Sequence, residues 1–262
     1  MEVIPHKFRL PRFTKVLTKW QNLPSGCWNT LFLENHDQPR SLGRFTGDYG
    51  DKRYEAATML AVAMQMQKGT PFVYQGQEIG MINCKFRDED YLDVMARQVF
   101  AIAGKIPFGK AIARACLAKR ARDHARTPMQ WSACENAGFT TGKPWMMLNP
   151  SYKTINVEAD KNAGDKSIFA FYKKLHAFRI GNDVIKCGDY RQIDGGNKDV
   201  FAYIRSYEGK TLAVICNFKN KQVNFPIPAE VSRGKLVLGN YKDSRIGQPL
   251  RPYEAAVYEI GK

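Results

Sequence analysis

The stretch that decides the fold is WNTLFL (28–33), followed along the chain by YEAATMLAVAMQMQK (54–68) and PFVY (71–74). The first and last of these are short apolar runs without polar alternation, as expected for parallel strands that are covered on both faces. The middle run is rich in strong helix formers and ends before Gly69 and Pro71, which do not continue a helix. The sequence therefore predicts a parallel strand–helix–strand unit with a right-handed crossover.

A polar cluster, ENHDQPR (34–40), follows the first predicted strand directly. In parallel sheets, and above all in (β/α)8 barrels, the loops after the strands line a common crevice. We therefore expect this cluster to project from the C-terminal end of the strand and to face a substrate. The alternative is a simple turn, because Asn35, Asp37 and Pro39 all favour turns.

The composition is that of a globular chain with an excess of basic residues. The 262 residues, 44% of them hydrophobic, are enough for one large domain or two ordinary ones. Lys and Arg outnumber Asp and Glu by 40 to 25, a net charge of +15 that would suit a nucleic-acid binder. The basic residues are spread along the chain, however, and neither an RNA-binding aromatic pattern nor a zinc-finger spacing accompanies them. We expect a solvated surface and no nucleic-acid partner.

The cysteines and the N-terminal segment indicate the compartment. The six cysteines lie at least 18 residues apart and form no CxxC pair, which favours reduced thiols and no metal site. Residues 1–20 lack the apolar stretch of a secretory signal, and no segment approaches the roughly 20 apolar residues of a membrane span. These features predict a cytoplasmic protein without a membrane partner.

The character of the sequence changes at RIGND (179–183). Before it, residues 168–179 carry apolar side chains at helical spacing. After it come several short strand-like runs: 200–207, 211–218, 223–227, 235–238 and 255–260. The chain is therefore predicted to consist of two domains, residues 1–182 and 183–262.

Five segments, taken together and in this order, closely resemble the oligo-1,6-glucosidases and α-glucosidases of glycoside hydrolase family 13. They are LFLENHDQPRSLGRF (31–45), GTPFVYQGQEIGM (69–81), RDHARTPMQW (122–131), NAGFTTGKPWM (136–146) and NPSYKTINVE (149–158). The resemblance implies an α/β fold, in which residues 1–182 form the last two strands and helices of a (β/α)8 barrel and residues 183–262 form an antiparallel β-sandwich-like domain. It also implies retaining hydrolysis of α-glucosidic bonds without an organic cofactor or a metal.

The resemblance assigns roles to three residues. Asp37 would be the catalytic carboxylate that holds sugar hydroxyls beside the anomeric centre and stabilises the transition state. His36 would donate to a hydroxyl of the same glucose, and Arg122 would reach the same subsite, where a guanidinium can bond a hydroxyl and a carboxylate together. Arg126 is expected to hold the loop, and Arg40 and Arg44 are each either a substrate contact or a local ion pair.

Retaining hydrolysis also needs a nucleophile and an acid about 5 to 5.5 Å apart. In the family the nucleophile and the acid both precede a sequence segment that resembles KFRLPRFTKVLTKWQ (7–21). We therefore expect this chain to be a C-terminal fragment that lacks these two residues. Among its own acids, Glu78 is interpreted as a hydrogen-bonding scaffold residue. The other carboxylates considered match neither family motif: Asp48, Asp51, Asp88 and Asp123. Three aromatic residues are expected to pack their own Gly-rich loop instead of stacking on a sugar: Trp131, Phe139 and Trp145.

The predicted function is that of an α-glucosidase acting on short malto- or isomalto-oligosaccharides, with a missing N-terminal half of the barrel as a possible partner. Three alternatives stay open. The first is a trehalose-6-phosphate hydrolase or a sucrose-acting relative. The second is a non-catalytic remnant, or complementing half, that at most binds sugar weakly. The third is a basic nucleic-acid binder, whose retention on DNA or RNA would depend strongly on salt.

Overall fold

A computed structural model describes residues 8–24, 26–47 and 49–261. Its helices are α1 (Leu10–Gln21), α2 (Arg53–Gln65), α3 (Val94–Ala103), α4 (Gly109–Arg120), α5 (Asp123–Arg126), α6 (Val157–Lys161), α7 (Ile168–Ile180) and α8 (Asp183–Cys187). Its strands are β1 (Thr30–Leu31), β2 (Thr70–Pro71), β3 (Asp189–Gln192), β4 (Val200–Tyr207), β5 (Lys210–Asn217), β6 (Lys235–Gly239) and β7 (Ala255–Ile260).

The described residues divide into two compact units. The first comprises residue 8 and residues 33–47 and 73–169. The second comprises residues 9–32, 49–72 and 170–261. The sequence-based division into domains 1–182 and 183–262 stays a prediction.

The second unit contains the predicted parallel strand–helix–strand arrangement. β1 and β2 pair in parallel, with Thr30 opposite Thr70 and Leu31 opposite Pro71. The helix between them, α2, is buried from residue 55 to residue 65, because most of its side chains are apolar or small around the whole circumference. The parallel strand–helix–strand arrangement is confirmed, although each strand is only two residues long and thus shorter than its apolar run.

At the start of β2, the backbone of Gly69 closely approaches Asn29 and Leu31. This residue has φ +140°, and a Cβ there would lie 2.7 Å from the Asn29 carbonyl oxygen and 2.9 Å from Cγ of Leu31. Residues with a side chain rarely adopt such a φ. We expect Gly69→Ala to push β2 away from β1 and to lower the free energy of unfolding by about 2 kcal/mol, as measured by urea denaturation.

The control for this prediction is Gly181→Ala. Gly181 belongs to the same unit, and a Cβ there would make an ordinary contact at 3.6 Å. We expect this change to leave the unfolding midpoint within experimental error. An equal loss in the two variants would contradict the steric argument.

A buried arginine completes the C-terminal end of α2. Arg179, at the end of α7, is 5% exposed. Its guanidinium donates to the carbonyl oxygens of Gln65, Gln67 and Gly69. The first of these carbonyls belongs to the last residue of α2 and the other two follow the helix, so none has a partner within it. The predicted helix at residues 168–179 is therefore confirmed, and its last residues fix the connection to β2.

The C-terminal part of the chain forms an antiparallel sheet of five strands in the order β3-β4-β5-β7-β6. β4 and β5 form the predicted hairpin, with Tyr207 opposite Lys210. The two residues of its turn, Glu208 and Gly209, both have positive φ, as the tightest hairpin turns require. The predicted strand at 223–227 is reduced to one bridge, between Val223 and Leu250.

One face of this sheet is covered by its own connecting segments. Alternate residues of β4 and β5 pack in a single apolar cluster with Val223, Val231 and Leu250. Such alternation places every second side chain of a strand on one face. The predicted antiparallel sheet after the α/β part is thus confirmed.

Candidate active site

The candidate site lies in the first unit and is built on the loop that follows β1. The backbone amide of Asp37 donates to Oδ1 of Asn35 at 2.9 Å, which closes a short turn. The side chain of Asp37 is 45% exposed. Residues 34–40 were interpreted either as a substrate-facing cluster or as a simple turn. At Asp37 the two interpretations are compatible, because the turn itself presents the carboxylate to solvent.

Two arginines hold the Asp37 carboxylate. Its Oδ1 accepts from Nη2 of Arg126 at 2.8 Å and from Nη1 of Arg122 at 3.2 Å. Arg126 also donates from Nε to the backbone carbonyl of His36 at 2.9 Å. Arg122 is the N-cap of the short helix α5 and Arg126, four positions later, is its last residue, so their side chains extend in the same direction.

The structure thus brings Asp37 and Arg122 into direct contact, and the role of this pair in binding sugar stays a prediction. Arg126 holds the loop through the His36 carbonyl, as expected. Sequence analysis missed that Arg126 also binds the Asp37 carboxylate. The signal that could have found this contact was the spacing of four residues between the two arginines in RDHAR (122–126).

A second carboxylate, Asp93, completes the arrangement. Its Oδ2 accepts from Nη1 of Arg126 at 2.6 Å and its Oδ1 from Nη2 of Arg122 at 3.0 Å. Oδ1 also accepts from the backbone amide of Met95 at 2.8 Å, so Asp93 is the N-cap of α3. We refer to Asp37, Asp93, Arg122, Arg126 and His36 as the Asp37 cluster.

Charge is balanced inside the Asp37 cluster. Burial raises the pKa of Asp93, but hydrogen bonds from Arg122, the Met95 amide and Arg126 outweigh burial and bring the pKa below its ordinary value. The hydrogen bond to Asp93 in turn raises the pKa of Arg122. Arg122 therefore stays charged, and Asp93 stays ionised at neutral pH.

His36 lies at the edge of the Asp37 cluster. Its side chain is 71% exposed, and its Nε2 is 3.6 Å from Oδ2 of Asp37. This distance is longer than a hydrogen bond. The imidazole therefore makes no hydrogen bond to Asp37, and its role toward a sugar hydroxyl stays a prediction.

The prediction that the whole segment from Glu34 to Arg40 faces a substrate is wrong at its two ends. Glu34 is 3% exposed and Arg40 is 0% exposed. Nη1 of Arg40 donates to Oε2 of Glu34 at 3.0 Å and to the Gln75 carbonyl oxygen at 2.7 Å. Ser41 donates to Oε1 of Glu34 from its amide and its hydroxyl. Arg40 thus forms a local ion pair with Glu34. A buried charge needs a partner of opposite charge and hydrogen bonds of this kind.

The other acids named in the sequence analysis lie outside the Asp37 cluster or outside the described residues. Asp51 pairs with Lys52 at 3.0 Å, and Asp88 pairs with Arg114 at 2.8 Å. Asp123 is 1% exposed, and its Oδ1 accepts from the amides of Leu92 and Asp93. Burial raises the pKa of Glu78, and its role as a scaffold residue stays a prediction. Asp48 lies outside the described residues.

Trp131, Phe139 and Trp145 are each partly exposed, and their packing against their own loop stays a prediction. Their exposed fractions are 50%, 41% and 59%. Aromatic faces of this kind can stack on sugar rings as well as on protein. The sequence could not distinguish packing on the loop from stacking on a sugar, because a Gly-rich loop has no hydrophobic periodicity that would identify a buried face.

A buried histidine lies next to the cluster on α5. His124 is 0% exposed, accepts from the Cys84 amide at its Nδ1 and contacts the Leu117 carbonyl oxygen through Nε2 at 2.9 Å. This arrangement requires a neutral ring with the proton on Nε2. Burial lowers the pKa of His124 to about 4.

This pKa predicts a loss of stability in mild acid. The unfolded chain binds a proton near pH 6.5, and the folded chain does so only near pH 4, so the stabilisation is complete above pH 6.5 and is lost as the pH falls toward 4. Between pH 7 and pH 5 we expect a loss of about 2 kcal/mol that is absent in His124→Gln. Urea denaturation at both pH values measures it. The exposed residue His176 provides the control, and a pH dependence that survives in His124→Gln but not in His176→Gln would contradict the prediction.

Two absences concern only the part of the chain that the structure describes. No group of three or more His, Cys, Asp or Glu side chains is placed to hold a metal ion there. None of the helices in the described ranges is long and apolar enough to cross a bilayer. All six cysteines are free thiols.

Comparison with known families gives two adjoining matches. Residues 2–188 match the alpha amylase catalytic domain. Residues 190–257 match the maltogenic amylase C-terminal domain. The change in sequence character near residue 180 and the start of the antiparallel sheet at residue 189 lie close to this junction.

Curated relatives agree with these matches. The chain is 42% identical to the oligo-1,6-glucosidase of Bacillus cereus over 254 residues, which are 93% of this chain and 45% of the relative. It is 41% identical to the trehalose-6-phosphate hydrolase of Escherichia coli strain K12, with 94% of this chain and 46% of the relative covered. The chain thus spans about half the length of the curated relatives it matches.

Solved structures extend the similarity to three dimensions. A trehalose-6-phosphate hydrolase from Bacillus licheniformis superimposes with a TM-score of 0.92 and 38% identity, over 100% of this chain and 48% of that one. An isomaltulose synthase mutant from Erwinia rhapontici, in complex with sucrose, has a TM-score of 0.91 and 32% identity, over 99% and 48%. The resemblance derived from the sequence is confirmed, and the chain belongs to glycoside hydrolase family 13, the alpha-amylase family.

Proposed function

We propose that this chain supplies the sugar-holding side of a retaining α-glucosidase of the oligo-1,6-glucosidase type. The observation that supports this most directly is the Asp37 carboxylate, half exposed and held by Arg122 and Arg126 at 3.2 and 2.8 Å. Both guanidinium bonds end on Oδ1, so Oδ2 is available to a sugar hydroxyl. Hydrogen bonds from hydroxyls next to the anomeric carbon strengthen as positive charge develops there, and so they lower the barrier to reaction.

The bond-breaking groups are assigned to another part of the enzyme. In a retaining mechanism a carboxylate attacks the anomeric carbon while an acid protonates the leaving oxygen, and water then hydrolyses the covalent intermediate. None of the five acids weighed in the sequence analysis matches either role by the motif that surrounds it. We therefore assign the nucleophile and the acid to the half of the enzyme that this chain does not include.

Short isomalto- or malto-oligosaccharides, cut from the non-reducing end, are the proposed substrates. Trehalose 6-phosphate is the second candidate, because hydrolases of that compound are among the similar proteins, with 38% identity and a TM-score of 0.92 in one case. Sucrose is a third, since an isomaltulose synthase in complex with it has nearly the same fold over 99% of this chain. Weak, non-catalytic sugar binding is the remaining alternative.

The experiment compares the chain alone with the chain co-expressed with the first half of the Bacillus cereus relative. We expect no hydrolysis of an aryl α-glucoside by the chain alone, and hydrolysis with retention of configuration by the assembled enzyme. Rates on isomaltose, maltose, trehalose 6-phosphate and sucrose then identify the substrate. Turnover by the chain alone that is lost in Asp37→Asn would refute the assignment of both carboxylates to the other half. An assembled but inactive enzyme would favour the non-catalytic alternative.

A further inference from the structure

The helices α3 and α4 pack against each other in the first unit, and the end at which they are joined is exposed and apolar. Ala96 of α3 and Leu117 of α4 share one buried apolar cluster. At the joined end, by contrast, four large apolar side chains are each more than half exposed: Ile102 (63%), Ile106 (57%), Phe108 (87%) and Ile112 (64%). We refer to residues 102–112 as the α3–α4 tip. Single apolar residues at a surface are ordinary, but a group of this kind marks an interaction site.

The backbone of the α3–α4 tip is held in an ordered turn. The amide of Ile106 donates to the Ala103 carbonyl oxygen at 3.2 Å, and the amide of Gly109 donates to the Ile106 carbonyl oxygen at 2.9 Å. A Cβ at Gly109 would overlap the Ala103 carbonyl oxygen, so the turn closes in this way only on glycine. Phe108 has a φ of 59°, which costs energy in a residue with a side chain. The exposed side chains are therefore presented in a fixed direction.

The α3–α4 tip belongs to a basic segment. Residues 94–120 contain no acid and six basic side chains: Arg97, Lys105, Lys110, Arg114, Lys119 and Arg120. The side chain of Lys110 lies along the turn, since a Cβ at Gly104 would be 3.4 Å from its Cε. Three acids precede the segment, at positions 88–90, and each of them already pairs with an arginine. The apolar side chains of the tip are therefore flanked by positive charge.

We propose that the α3–α4 tip docks on an anionic lipid surface, with its apolar side chains between the headgroups and its lysines against the lipid charges. Segments that lie in a bilayer interface combine exposed aromatic and aliphatic side chains with Lys and Arg in this way. Anionic lipids attract each Lys or Arg that comes close to the surface. The prediction of no membrane partner depended on the lack of a spanning segment and of a secretory signal, and docking of this kind needs neither.

Two other occupants fit the α3–α4 tip less well. A second copy of this chain would place two segments with six basic residues each, and no acid, against one another, and repulsion opposes that contact. An acidic protein segment would match the charge, but Phe108 is 87% exposed and projects from the surface instead of lining a groove. Helical partners dock in grooves. A lipid interface, however, accepts apolar side chains that project.

Co-sedimentation of the purified 262-residue chain with lipid vesicles tests the proposal. One set of vesicles contains equal parts of phosphatidylglycerol and phosphatidylcholine, and the other contains phosphatidylcholine alone. The apolar variant is Ile106→Ser with Phe108→Ser. Its matched control is Val16→Ser with Ile180→Ser, because these residues are 53% and 60% exposed but belong to the other unit.

A second pair of variants tests the contribution of charge. Lys105→Gln with Lys110→Gln removes two positive charges from the α3–α4 tip. Lys198→Gln with Lys235→Gln removes two from exposed positions of the other unit and leaves the net charge of the two variants equal. Circular dichroism checks that every variant is folded, and the comparison of the two lipid compositions needs no variant.

We expect the wild type and both controls to bind the anionic vesicles at least about tenfold more strongly than the neutral ones. Raising NaCl from about 0.1 M to about 1 M should release them, because salt screens the attraction. Each tip variant should bind the anionic vesicles roughly tenfold more weakly than the wild type.

Four results would overturn the proposal. They are no binding to anionic vesicles, equal binding to neutral ones, full binding by either tip variant, and a loss of the same size in the controls. Tighter binding to soluble polyglutamate than to the anionic vesicles would identify an acidic polypeptide as the occupant, and it would overturn the proposal as well.

Discussion

Glu34→Ala is expected to lower the free energy of unfolding of the chain by about 3 to 5 kcal/mol, the range for removal of one partner from a buried ion pair. The side chains of Glu34 and Arg40 are each 1% exposed and lie 3.0 Å apart. Alanine would leave the guanidinium charged, out of water and without its carboxylate. The Gln75 carbonyl oxygen, which also accepts from Arg40, offers only a partial dipole in its place.

Urea denaturation measures this loss, and two further variants identify its cause. Glu89→Ala removes the acid of an exposed pair in the same unit, where the side chains of Arg87 and Glu89 are 73% and 65% exposed, and should cost less than about 1 kcal/mol. Glu34→Gln combined with Arg40→Met removes both charges and should recover part of the loss. If the double variant is less stable than Glu34→Ala, the uncompensated charge is not the cause.

The parts of the fold that local pattern determines were predictable from the sequence. The helix α2 follows from a run of strong helix formers, and the β4–β5 hairpin from two apolar runs around a short Gly-containing turn. Strand length was not predictable in the same way. Phe32 and Phe72 are as apolar as strand residues should be, but a strand extends only as far as its pairing partner, and the partner is not encoded locally.

The candidate site shows the same limit at the level of side chains. Asp37, His36 and Arg122 were predicted from sequence motifs. The structure brings Asp37 and Arg122 together although they are 85 positions apart in the sequence. Asp93 was missed. An Asp before a helix-forming run predicts an N-cap, which it is, but nothing in a single sequence connects that cap to arginines 29 and 33 positions later. Glu34 and Arg40 have the same chemical types as Asp37 and Arg122, and only burial distinguishes an ion pair in the interior from one that can meet a substrate.

The largest effect on function is expected from Asp37→Asn in the assembled enzyme. We expect kcat/KM on an aryl α-glucoside to fall by roughly two to three orders of magnitude, because several kcal/mol of transition-state stabilisation come from hydroxyl contacts of this kind. The loss should appear mainly in kcat, since these hydrogen bonds strengthen as the positive charge develops. Asparagine keeps the shape of the side chain and removes the negative charge.

Stability separates this catalytic role from a structural one. The side chain of Asp37 is 45% exposed, and both of its arginines keep Asp93 as a partner, so Asp37→Asn should change the free energy of unfolding by no more than about 1 kcal/mol. Asp88→Asn is the matched control, because Asp88 pairs with Arg114 in the same unit but outside the Asp37 cluster, and its kcat/KM should stay within about twofold of the wild type. A loss of activity in Asp37→Asn that is confined to KM would show that Asp37 holds the ground state as strongly as the transition state. A loss that accompanies a comparable fall in stability would show that Asp37 serves to anchor Arg122 and Arg126, and that the negative charge stabilising the sugar lies elsewhere.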